Sequence, residues 1–250
     1  MAPRTSLALA VVVGLALALP HAAVAQGIWP ERAENLQVLP HDLPAENLRA
    51  VMQGFTRSLG VRCAYCHVGE EGQPLGTFDF VSDEKRTKNV ARQMLTMLGE
   101  INESLSEIEP SGGERVNMWC HTCHSGKPRP MTLEETLAEV RTREGGGAVV
   151  ERYRTLREEF YRGNQYDFRP GNVEGIAART LEAGDTTTAV ALLELNADHF
   201  PDRADGYERL GDVAQLRGRT EEAVRRYQRA LQIEPENPRV QEKLERARGG

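Results

Sequence analysis

Four cysteines, and the residue that follows each pair of them, carry the chemistry of this chain. They fall in two five-residue units, Cys63-Ala64-Tyr65-Cys66-His67 and Cys120-His121-Thr122-Cys123-His124, which use every cysteine in the sequence. Thiols spaced C-x-x-C can form a redox dithiol, ligate zinc, or bond as thioethers to the two vinyl groups of a haem. The histidine decides among these. A redox dithiol gives no reason for His at the next position in both copies, and zinc would leave ligands over. Covalent haem uses every one of them. Cys63, Cys66, Cys120 and Cys123 make the attachments, and His67 and His124 fall beneath the irons as proximal ligands.

The sixth ligand separates electron transfer from binding of small molecules at an open iron. The stretch from Ala45 to Ser58 reads as a helix with Leu48, Val51, Met52 and Phe55 on one face, ended by Gly60 just before the first motif. Met52 therefore sits on a helix that could cover the first haem. A second helix is expected from near Ser82, with Asp83 and Glu84 in its first turn. Its stripe Val90, Met94, Met97, Ile101 brings two methionines forward. Either could reach the second iron, with Met94 slightly preferred, although methionine stripes also serve as plain core. Met118 and Met131 sit too close to or beyond the second motif. His41, His121 and His199 read as loop or surface residues. Lys85, Arg86 and Lys88 could pair with haem propionates or form a solvated helix face.

The stretch Met52 to His67, the helix Lys88 to Asn102 and the motif Cys120 to His124 resemble the cytochrome subunit of the photosynthetic reaction centre and its relatives. The resemblance covers roughly residues 36 to 130. It implies Met52 and His67 as the axial pair of the first haem, and a methionine of the Lys88–Asn102 helix opposite His124. That subunit carries four haems and this chain has two motifs, so service in photosynthesis is not implied and a respiratory carrier fits equally well.

The remaining sequence sets location and organisation. Arg4, the uncharged apolar run Leu7 to Leu19, Pro20 and Ala23-Val24-Ala25 form the pattern of a secretory signal peptide over 1–25. The run is short for a bilayer span, so no membrane span is expected after cleavage and the mature protein is placed in the periplasm or outside the cell. A formal net charge of -6 argues against a nucleic-acid partner. Helical patterning resumes at Thr132, broken by Gly145-Gly146-Gly147, which reads as a flexible joint before the stripe Val149, Tyr153, Leu156, Phe160. Beyond Pro170, Gly184 and Gly218, Ala189 and Ala223, Leu193 and Tyr227, and Pro201 and Pro235 recur at the tetratricopeptide period of 34 residues. The second copy follows the consensus closely, whereas Ile176-Ala177 stands where Leu-Gly is expected in the first.

The expected fold is mainly α: a signal peptide (1–25), a dihaem c-type cytochrome domain (26–130), a helical linker with a capping helix (131–169), and two repeats plus a C-terminal capping helix (170–250). The expected function is that of a carrier passing single electrons between redox partner proteins, not an enzyme. The repeats would hold a protein partner or a second copy of the chain. The rivals are a peroxidase-like dihaem oxidoreductase with one open iron, and a repeat scaffold whose haems sense redox state.

Overall fold

A computed structural model describes residues 33–109 and 114–249. The signal-peptide segment lies outside the described residues. The described chain is mainly α. Its helices are α1 (Ala45–Leu59), α2 (Arg86–Ser106), α3 (Cys120–His124), α4 (Leu133–Glu144), α5 (Gly146–Phe160), α6 (Pro170–Glu182), α7 (Thr186–His199), α8 (Ala204–Leu216), α9 (Thr220–Ile233) and α10 (Pro238–Gly249). Among the described residues, pairing of β type is limited to one isolated bridge between Val68 and Asp79. No described helix is long and apolar enough to cross a membrane.

The chain divides into two compact units, residues 33–50 with 62–95, and residues 51–61 with 96–249. In the first, a loop closes on a buried cation. Lys88 Nζ donates to the carbonyls of Phe80, Val81 and Ser82 at 2.8–3.1 Å and pairs with Asp83 at 3.0 Å. Asp83 also takes Arg92 at 2.9 Å and the side-chain amides of Asn35 and Gln37. Hydrogen bonds from Arg92 and Lys88 hold its carboxyl far below the usual carboxylate range. This explains why α2 starts at Arg86 and not near Ser82: Asp83 gathers two cations of α2 and the amides of Asn35 and Gln37 instead of occupying the helix's first turn.

The second unit holds a stack of antiparallel helices. Thr132 opens α4 by a reciprocal cap: Thr132 Oγ1 accepts from the Glu135 amide at 3.2 Å, and the Glu135 carboxylate accepts from the Thr132 amide at 2.8 Å. One apolar cluster joins Leu133 and Leu137 of α4, Val149, Tyr153 and Leu156 of α5, Val173 and Ile176 of α6, Leu192 of α7 and Leu210 of α8. A second cluster continues through Ala214, Ala223, Tyr227, Val240 and Leu244. Within the glycine triplet, the middle residue is closely packed in the structure. Gly145 takes φ +86, and at Gly146 a Cβ would collide with the Thr188 and Asp185 side chains at the start of α7. Close approach of backbone to a neighbouring helix, not looseness, calls for glycine there.

The 34-residue register reappears in the helix starts: α6, α8 and α10 begin at 170, 204 and 238, and α7 and α9 at 186 and 220. Gly211 of α8 faces Tyr227 of α9, whose ring would meet an added Cβ at 2.5 Å. Ala177, equivalent to Gly211 in the preceding copy, is fully buried.

Candidate functional site

The first motif is wound into a single tight turn. Cys63–Tyr65 is a 3-10 turn, and the amides of Cys66 and His67 both donate to the Cys63 carbonyl, at 3.2 and 2.9 Å. Side chains from the start of α2 grip its middle residues: Lys85 Nζ donates to the Ala64 carbonyl and Thr87 Oγ1 to that of Tyr65. His67 is half-buried beside the edge of Phe80, with centroids 4.9 Å apart, and Phe80 stacks on Phe78. Burial, reinforced by Lys88, Arg92 and Lys85, lowers the His67 pKa to about 4. The imidazole is therefore neutral near pH 7, the form that can ligate a metal. Its Nδ1 is buried without a hydrogen-bond partner. Lys85 and Lys88, read from sequence as possible propionate partners, are committed to backbone carbonyls.

The second motif is α3 itself. Asn102 of α2 clamps its approach, accepting from the Met118 amide at 2.7 Å and donating to the Met118 carbonyl at 3.0 Å. Thr122 Oγ1 accepts from the Trp119 amide at 3.1 Å. Ser125 takes a left-handed conformation, φ +47, which ends α3 and turns the chain back. The Gly126 amide then donates to the Ser58 carbonyl at the end of α1 at 2.8 Å, and Gly60 (φ +64) packs on Gly126 so closely that a Cβ has no room. His124 is 8% exposed, with Nδ1 2.9 Å from the Lys127 carbonyl oxygen. A carbonyl only accepts, so Nδ1 carries the proton and Nε2 keeps its lone pair for a metal.

The residues present fit haem. All four cysteines are free thiols, and burial pushes those of Cys66 and Cys120 up, against the low pKa of a reactive dithiol. Among the described residues no three His, Cys, Asp or Glu side chains gather as a metal cluster. Met94 and Met97 are 38% and 43% exposed on α2, and Val90, Tyr65 and Trp119 are exposed as well. Met97, Ile101, Leu105 and Ile108 line a groove of about 280 Å³. Met52 lies half-buried on α1, while His41, His121 and His199 are exposed.

Sequence reasoning missed the clamps: Asp83, Lys88, Asn102 and Lys127. It also missed a pair of buried carboxylates in the repeats. Glu174 bonds Arg209 at 2.9 Å, and Glu208 bonds Lys243 at 2.7 Å. Both glutamates and both cations are offset by the 34-residue period, so aligning the two copies could have revealed them.

Residues 17–158 match the family described as Photosynthetic reaction centre cytochrome C subunit. A photosynthetic reaction center cytochrome c subunit of Roseobacter denitrificans is 32% identical over 120 residues. That stretch covers 47% of this chain and 30% of the relative, so the chain spans under a third of that protein's length. The family match runs past the resemblance seen in sequence and takes in α4 and most of α5.

Proposed function

Because the chain belongs to the photosynthetic reaction centre cytochrome C subunit family, we propose that it is an exported dihaem c-type cytochrome carrying single electrons between redox partner proteins, with a tetratricopeptide array for protein association. The observation that carries this reading is the doubled C-x-x-C-H, with four free thiols and, at each motif, an imidazole in a state able to ligate. Haem c, when bound, supplies a one-electron couple at its iron.

The chain's own residues do the rest. Cys63 and Cys66 would hold one group and Cys120 and Cys123 the other, with His67 and His124 as the proximal ligands. Met52, and one of Met94 and Met97, would complete the coordination, filling both irons and raising their potentials relative to two histidines. Polar clamps on Ala64, Tyr65 and Met118 keep each attachment turn fixed as charge changes.

Export rests on the signal pattern of 1–25 and agrees with haem attachment outside the cytoplasm. The array reading is supported by the helix starts, by Gly211 against Tyr227 and by the buried Ala189 and Ala223. Such arrays bind protein surfaces or further copies of the same chain.

The test is a haem count on the protein recovered after export, by intact mass and pyridine haemochrome, followed by spectra of M52A, M94A and M97A. Two haems are expected. M52A should perturb the first, and one of M94A and M97A the second. Colourless protein would end the proposal. If neither M94A nor M97A changes a spectrum and the wild type takes up carbon monoxide, one iron is open and the oxidoreductase reading replaces the carrier.

A further inference from the structure

We propose that Lys127 is a positioning residue for the second haem's histidine, tying the carbonyl that orients His124 to the α5–α6 connection so that this connection helps set the second iron's potential. The inference rests on the dihaem reading. Lys127 is 8% exposed, which is unusual for a lysine, and among the described residues it has no carboxylate within ion-pair distance. Its ammonium is held instead by two carbonyls, Met131 at 2.6 Å and Gln165 at 2.7 Å, and lies 4.2 Å from the centre of the Tyr166 ring. Burial pushes its pKa down, with Glu135 opposing.

The same residue's carbonyl takes the His124 Nδ1 proton at 2.9 Å. One residue therefore faces both ways, with its backbone toward the histidine and its side chain toward 165–166. Tyr166 packs on Phe160 and Phe168, and Phe168 on the fully buried Tyr153. The contacts run without a break from His124 into the helical core. Gln165 and Tyr166 lie beyond the family match, which ends at 158. The contact thus joins the segment that the family match covers to the part that follows it.

An N–H···O=C bond at Nδ1 makes the imidazole a stronger donor and favours ferric iron. Loosening the carbonyl weakens that donation, so the potential should rise. In K127M the reduced-to-oxidised ratio of the second haem at a fixed potential should increase by up to about tenfold, ~59 mV for one electron. The first haem serves as internal reference and should not move. K127R, which keeps a cation for both carbonyls, should stay near wild type, and Y166L should shift in the same direction by less. Amide hydrogen exchange over 125–131 and 163–166 should speed up together in K127M, by about tenfold or more.

An unchanged second potential in K127M carrying two haems would overturn the proposal, and so would an equal shift of both haems. Should K127M lose the second haem, Y166L decides: a selective shift supports the tether and wild-type behaviour ends it. A wild-type protein without two haems would instead remove the proposed function, and this inference with it.

Discussion

Among the described residues, every buried apolar side chain except Leu48 lies at or beyond Leu133. The large exposed ones are distributed the other way: all but Tyr161 and Leu216 fall before Cys120. The helical stack builds its core from protein atoms, with Tyr153, Leu156, Val173 and Leu192 closed off from solvent. Each such side chain contributes roughly 1.5–3 kcal/mol. The segment bearing the attachment motifs is held by polar clamps on backbone carbonyls and leaves Val90, Met94, Met97 and Trp119 uncovered. Hydrogen bonds specify geometry but add only about 1 kcal/mol net each. A region built this way needs another source of apolar contact, and a covalently attached porphyrin is one.

The largest effect should therefore come from abolishing attachment. In the C63S/C66S/C120S/C123S variant, amide protection over 45–106 should collapse towards that of an unfolded chain, while α5 to α9 keep theirs, read by hydrogen exchange with mass spectrometry. Equal protection in both regions would break the contrast. Next comes Leu192→Ala, which opens a cavity in the stack and should cost about 2–5 kcal/mol. Thermal unfolding followed by circular dichroism should show the loss, while the haem spectra stay at wild type. A change in those spectra would mean that the two regions share a core.

These contrasts also explain what could be read in advance. The two units Cys63 to His67 and Cys120 to His124 stood out in sequence because a fixed spacing recurs in both. The stripes of α1 and α2 were legible as helix faces, and the repeats through a period repeated in Gly, Ala and Pro. Lys88 and Lys127 were not, because a cation buried among carbonyls leaves no periodic trace and lysine usually marks solvent. Asp83 misled for a related reason: an acid ahead of a helix usually serves its first turn, but here Arg92 and Lys88 claim it. Gly146 was read as freedom because a close approach looks the same in sequence as a flexible joint.

The smallest effect sharpens the contrast within the stack. The Glu208 side chain is 6% exposed and accepts from Arg239 and Lys243, each at 2.7 Å. Burial alone would raise its pKa, but the two cations outweigh burial and the net shift is downward. A carboxyl depressed in the folded state stabilises it above the unfolded value of about 4.5, and that stability is lost as pH falls below this value. Glu208→Gln keeps the shape and removes the charge. Lys243 retains Asp212 at 2.6 Å and Arg239 is mostly solvated, so the cost near pH 7 should be about 1–2 kcal/mol, less than for an isolated buried pair. As pH falls below about 4.5 the variant should lose less stability than the wild type, the two converging as Glu208 protonates. Denaturant midpoints of α5 to α9 across that range would show it. Parallel acid curves would place the sensitivity of the stack elsewhere and leave the attachment region, where Asp83 gathers two cations, as the part of the molecule that acid opens.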